Sequence, residues 1–138
     1  MSIAPLVLRA ATDIKANPAP DAYFSGPVQM EVLARPDSFA CETLRVNFPP
    51  GGRTGWHTHP VGQILIVIAG QGIVATRDGA RRMSVGDVVE IPADVEHWHG
   101  AAPDTPMTHV AVQPGGATQW LELVDDADYI RLCERGAP

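Results

Sequence analysis

The sequence predicts an all-β fold, a barrel or jelly roll with a short C-terminal helix. Three observations predict it. Apolar residues alternate with polar ones in many short runs, the period of a half-buried strand. Thirteen glycines and thirteen prolines in 138 residues cut those runs every several positions. No long stretch carries helical periodicity between the runs, which excludes a strand–helix alternation. A hydrophobic fraction of 45% is enough for one proper core, and the length suits one domain.

Taken in order, residues 1–26 are broken by Pro5, Pro18, Pro20 and Gly26 and read as an N-terminal arm. Residues 27–124 read as the barrel. Val28–Leu33 is its first strand, followed by a turn at Arg35-Pro36-Asp37-Ser38. In Cys41–Phe48, Leu44, Val46 and Phe48 share one face and Thr43, Arg45 and Asn47 the other. Gln63–Ala69 is apolar on both faces, with Leu65 and Val67 on one and Ile64, Ile66 and Ile68 on the other, so both must be covered. Gly70-Gln71-Gly72 reads as a hairpin turn from which Ile73–Arg77 returns, and Asp78-Gly79 as a second hairpin. Arg82–Val85, Val88–Ile91, Glu96–Ala101, Met107–Gln113 and Trp120–Val124 complete eight or nine strands. Residues 125–138 read as a helix and tail. Asp125, Asp126 and Asp128 at the start and Arg131 and Arg135 at the end match the helix dipole, Gly136 stops it, and Tyr129, Ile130 and Cys133 form its expected buried face.

A formal net charge of −6 without a basic face argues against nucleic acid. No apolar run approaches membrane-spanning length, and Met1–Lys15 lacks the pattern of a signal peptide. Cys41 and Cys133 make no disulfide framework and read as packed thiols, so a cytoplasmic location is expected.

The chemistry concentrates in the histidines. All five lie between positions 57 and 109. His57 and His59 alternate onto one strand face, Gln63 enters the next strand, and His97 stands well downstream. A barrel can bring these four to one point. Imidazoles suit Mn, Fe, Co, Ni, Cu or Zn; three histidines alone would favour Zn, and the hard amide oxygen of Gln63 shifts weight towards Mn or Fe.

The spacing Gly51-x5-His57-x-His59-x3-Gln63-x6-Gly70 resembles the first motif of the cupin superfamily, with Gln in place of its Glu. Gly86-x5-Pro92-x-Asp94-x2-His97-x3-Ala101 resembles the second, departing from its Gly and Asn at Asp94 and Ala101. The resemblance implies the double-stranded β-helix of that superfamily. A narrower one, carried by Arg53–Gln63, His97–Pro103 and Met107–His109, is to the bacterial cupin hydroxynitrile lyases, which share the Gln-for-Glu exchange. It implies Mn(II), with Fe, Ni, Co or Zn as alternatives, and a lyase that cleaves or forms cyanohydrins such as mandelonitrile from aldehyde and cyanide. Competing readings are a metal-dependent dioxygenase and a sugar-binding or sugar-isomerising cupin.

Four neutral ligands leave a divalent charge uncompensated, which makes the ion a stronger Lewis acid. His109 is the candidate general base, because an imidazole titrates near neutral pH; the bland alternative is that it only orients a ligand. His99 is expected beside the ligands or in the pocket lining, and Thr54, by resemblance, at the substrate. Leu44, Val46, Leu65 and Gln113 are the expected pocket wall, small and mostly apolar. Of the three tryptophans, Trp56 and Trp98 alternate away from the ligands and read as outer packing. Arg53 reads as an ion-pair anchor. The outward rows Ile64-Ile66-Ile68 and Val110-Val112 call for cover, which predicts a homodimer or homotetramer; the expected ligand is a small molecule.

Overall fold

A computed structural model of the chain describes residues 6–136. The first five residues of the expected arm and the last two of the tail lie outside the described residues. Twelve strands and one helix follow a single 3-10 turn at Ala11–Asp13. The strands are β1 (Ala16–Pro18), β2 (Phe24–Ser25), β3 (Gln29–Ala34), β4 (Cys41–Phe48), β5 (Arg53–Thr54), β6 (His57–Thr58), β7 (Gly62–Thr76), β8 (Gly79–Ser84), β9 (Val88–Pro92), β10 (His97–Ala101), β11 (Met107–Pro114) and β12 (Gln119–Trp120). The helix is α1 (Asp126–Arg135).

Every pairing is antiparallel. One curved layer runs β1-β3-β4-β11-β7-β9. The other runs β8-β7-β10, with β5 and β6 on the far edge of β10, β2 on β5 and β12 on β6. The all-β jelly roll with one C-terminal helix is as the sequence predicts. The strand count is higher because β1, β2, β5 and β6 are too short to show alternation, while the strand expected at Trp120–Val124 is confined to Gln119–Trp120. Within residues 16–26, β1 is laid on β3 and β2 on β5, each as an edge strand.

The hairpin expected at Gly70–Gly72 does not exist. β7 runs unbroken for 15 residues, pairs with β11 and β9 in its first half, then crosses to pair with β8 and β10 in its second. The glycines serve close approach instead of reversal. Gly70 has φ +72°, and a Cβ there would lie 1.8 Å from the Pro106 carbonyl oxygen. A bulge beside it, where Thr108 faces Ala69 but His109 faces Val67, lets the strand bend from one layer to the other.

Two apolar clusters result. The first fills the barrel, with Phe24, Val28, Leu44, Val46, Phe48, Leu65, Val67, Met107 and Ala111 among its buried members. The second lies between the β7–β10 layer and α1 and contains Trp56, Ile73, Trp98, Val124, Tyr129, Leu132 and Cys133. Trp56 and Trp98 thus pack outward against the helix, as their alternation predicts. Asp125 caps α1 by accepting a hydrogen bond from the Asp128 N–H at 2.8 Å. The helix buries Tyr129, Leu132 and Cys133; Ile130 is 47% exposed, one position off the stripe that reaches the sheet. Cys41, at the start of β4, is only partly buried.

Arg53 anchors this helix within the chain. Its guanidinium donates twice to the Val124 carbonyl, at 3.1 and 2.6 Å, and once each to the Gly51 carbonyl and the Asp126 carboxylate. It also lies 4.4 Å from the centre of the Tyr129 ring. Among the described residues no helix is long and apolar enough to cross a membrane.

Candidate metal centre

Three short pieces of backbone bring the candidate ligands together. β6 carries His57, and His59 follows two residues on, before Pro60 breaks the strand. β10 lies antiparallel to β6 with His97 directly opposite His57. The turn at Pro60-Val61 delivers Gln63 at the start of β7. The ligand-capable nitrogens of His57, His59 and His97 all lie within 4.8 Å of one another, and all three side chains are buried. Asp94, which stands where the resembled motif has Gly, adopts φ +63° and donates its N–H to the His59 carbonyl at 2.9 Å. That left-handed conformation is open to Asp at a cost that a β-branched residue could not meet, so the departure leaves the loop that carries His97 intact.

The hydrogen bonds fix what each ring offers to the centre. Nδ1 of His57 donates to the Gly55 carbonyl and Nδ1 of His97 to the Val95 carbonyl, both at 2.9 Å. The opposite nitrogens therefore carry lone pairs. Nδ1 of His59 lies 3.2 Å from the Thr118 hydroxyl, and its Nε2 is buried with no partner. Gln63 donates its Nε2 to Gln113 Oε1 at 2.8 Å, which turns its own Oε1 inward to lie 3.2 Å from His97 Nε2. A lone pair thus faces a lone pair. Two acceptors held together by their outer partners, beside an unpartnered buried nitrogen on His59, describe a hole that fits a cation. His57, His59, His97 and Gln63 would hold it.

Protonation agrees with this. Burial pushes His97 down to about 4 and holds His57 well below the ordinary imidazole value, with the neighbouring His97 lowering it further. His59 is lowered by burial as well, partly offset by Gln63. Neutral imidazoles are the ligand form.

The other two histidines form a pair above the cluster. His109 Nε2 and His99 Nδ1 are 2.9 Å apart, and His99 stands between His109 and the ligands, its ring centre 5.3 Å from that of His57. Burial lowers both, His109 to about 4 and His99 well below its usual range, with each other's charge a further cause for His99. His99 Nε2 and His109 Nδ1 are buried without partners. Thr54 holds the pair in place: its hydroxyl accepts from the His99 N–H at 3.2 Å and donates to the Gly55 carbonyl.

A cavity of about 40 Å³ opens onto this arrangement. Of the residues the sequence points to, Leu44, Val46, Thr54, His57, His59, Gln63, His99, His109 and Gln113 line it. His97 reaches the cluster without lining the cavity. Leu65 does not line it either; it is fully buried in the barrel core, because its strand face turns into packing before the cavity begins. Phe24, Met30, Phe48, Ala111 and Trp120 also line it, outside the pocket wall expected from sequence. Trp120 is the most informative of them. It is paired with His57 in register, lies 4.7 Å from that ring and stacks on Tyr23 at 4.8 Å. Strands of two residues hide such a pairing from any pattern search.

Comparison with known proteins places these features in context. Residues 44–113 match the model described as Cupin domain. The chain is 45% identical over 117 residues to the (R)-mandelonitrile lyase of Granulicella tundricola, covering 81% of this chain and 89% of that one. Among solved structures, a cupin-like protein from Thermotoga maritima superposes with a TM-score of 0.81 at 40% identity, covering 83% of this chain and 91% of the other. A polyketide cyclase, RemF, from Streptomyces resistomycificus shares the fold at a TM-score of 0.68 and 18% identity.

Proposed function

We propose, from the premise that this chain belongs to the cupin family, that it is a metal-dependent lyase of the hydroxynitrile lyase type. The reaction is cleavage of a cyanohydrin to aldehyde and hydrogen cyanide, or its reverse. The observation that carries the reading is the juxtaposition of two sets in one cavity. One is a cluster of four neutral donors that fits a divalent ion, Mn(II) in this proposal. The other is a buried, neutral histidine pair beside it. The curated relative named (R)-mandelonitrile lyase supports the same class.

When bound, the ion supplies Lewis acidity at a substrate oxygen, undiminished by any anionic protein ligand. The chain's own residues do the rest. The apolar wall of Phe24, Leu44, Val46, Phe48 and Trp120 excludes water and receives the organic group of the substrate. His99 and His109 handle one proton: the hydroxyl proton of the cyanohydrin passes to an imidazole, the C–C bonding pair leaves with cyanide, and the same proton returns to give hydrogen cyanide. Burial makes His109 a weaker base than the near-neutral imidazole expected from sequence, and one that readily gives the proton back. His109 is the base in this scheme, with His99 linking it to the ligand cluster. Thr54 holds His99 at the correct height.

The test is mandelonitrile cleavage by Mn(II)-loaded protein with and without oxygen. Benzaldehyde should form equally in both; a requirement for oxygen would replace the lyase with an oxygenase. His109→Ala should lower turnover by about 10²- to 10⁴-fold with metal content retained, and undiminished turnover would remove His109 as the base. His57→Ala should lose most of its metal, and normal occupancy would sink the ligand assignment.

A further inference from the structure

Gln63, Gln113 and Glu42 form a row across three adjacent strands. Gln113 on β11 faces Glu42 on β4 in register, and one pair further along β11 and β7, Val112 faces Ile64. The row is hydrogen-bonded from end to end. Gln63 Nε2 donates to Gln113 Oε1 at 2.8 Å, Gln113 Nε2 donates to Glu42 Oε1 at 3.0 Å, and the other carboxylate oxygen of Glu42 accepts from Arg35 Nε. Each amide in the row has one donor end and one acceptor end, so the polarity of the row is all-or-none.

The outer end decides that polarity. A guanidinium only donates and a carboxylate only accepts. Glu42, held by Arg35, must therefore receive an N–H from Gln113. Gln113 must then present its carbonyl to position 63, and position 63 must offer an N–H in return. Gln63 can do this and is left with its oxygen turned to the ligand cluster. A glutamate at 63 cannot: its carboxylate would set an acceptor against the Gln113 carbonyl, and a flipped Gln113 would set an acceptor against Glu42.

We propose that Glu42, acting through Gln113, is a positioning residue that orients the Gln63 amide oxygen into the metal centre and makes glutamine, not glutamate, the compatible fourth ligand. The inference rests on the metal-centre reading. It reaches one residue beyond the cavity wall, from Gln113 to a side chain that is 29% exposed.

The consequence is a coupling between positions 42 and 63. In Glu42→Gln the new amide can accept from Arg35 and donate to Gln113, which frees the row to reverse and to turn the Gln63 N–H groups towards the ion. Combining Glu42→Gln with Gln63→Glu restores a fully matched row: the carboxylate at 63 accepts from Gln113, Gln113 accepts from position 42, and position 42 accepts from Arg35. The experiment measures Mn(II) dissociation constants by EPR titration of free Mn(II), at one neutral pH, for the wild type, both single variants and the double variant. Glu42→Gln alone should weaken binding about tenfold. Replacing Gln63 by Glu should improve affinity at least about tenfold more in the Glu42→Gln background than in the wild-type background. Equal effects of the replacement in the two backgrounds, within twofold, would overturn the proposal. If Gln63→Glu does not fold, unchanged affinity in Glu42→Gln alone overturns it. Wild-type protein that fails to bind Mn(II) would remove the metal-centre reading and this inference with it. Wild-type binding with uncoupled variants would remove only the row's role.

Discussion

Burial keeps five imidazoles neutral inside one small barrel, and that neutrality has a pH signature at the scale of single residues. The folded-state values of His97 and His109, about 4, lie below the ordinary imidazole value, and His57, His59 and His99 are lowered too. Between those values and about 6.5 the unfolded chain binds more protons than the folded one, so stability rises with pH through this window. Metal-free protein should therefore melt at progressively lower temperature as pH falls from about 6.5 towards 4, read by calorimetry in the presence of a chelator; a flat profile would contradict the buried neutral state. The size of the cavity makes a second prediction. About 40 Å³ holds a few waters but no aryl group unless the wall moves. Leu44→Ala should lower KM for mandelonitrile relative to a small aliphatic cyanohydrin, at a stability cost of about 2–4 kcal/mol. The cluster of His57, His59 and His97 was legible in the sequence because two histidines one residue apart, a polar strand start and a third histidine are rare together by chance. Trp120 and Phe24 were not, because their roles depend on which strand lies beside which. The Glu42–Gln113 connection was equally hidden: Gln113 reads as pocket wall, but Glu42 looks like an ordinary surface-side polar residue until the strands are placed in register.

Elements tell a similar story through β7. Glycine pairs usually mean a reversal, and Gly70-Gln71-Gly72 reads that way from composition. The backbone instead uses Gly70 for a left-handed residue pressed against the Pro106 carbonyl, and Gly72 where a Cβ would come within 2.6 Å of the Gly100 carbonyl. Local signals cannot separate these cases, since both call for a residue without a side chain. The distinction is testable. A tolerant hairpin turn would lose little on Gly70→Ala, whereas the observed contact should cost about 3 kcal/mol or more, or prevent folding, measured by denaturant titration. The helix was better marked. Its acidic start, basic end and terminal glycine all agree, and only one member of its buried face differs, Leu132 in place of Ile130.

At the scale of the whole molecule, α1 covers the outside of one layer and leaves the other uncovered. Ile64 and Ile68 are 40% and 44% exposed on that open layer, and Val88 beside them is 60% exposed. We propose that a second copy of the chain covers this face. Light scattering should give at least a dimer, and Ile68→Glu should shift it towards monomer; a monomeric wild type would contradict the proposal. The crossing of β7 from one layer to the other has a further effect, on motion. A jelly roll built from two separate sheets can slide or part along the seam between them. Here one strand belongs to both, bonded along both edges for most of its length. The layers cannot separate without breaking it. Amides from Leu65 to Ala75 should then exchange with solvent only when the entire molecule unfolds, all at one common rate, while those of β1, β2 and β12 exchange by local opening. Within the cavity wall, Phe24 and Trp120 sit on such short strands, the part free to move without opening the barrel.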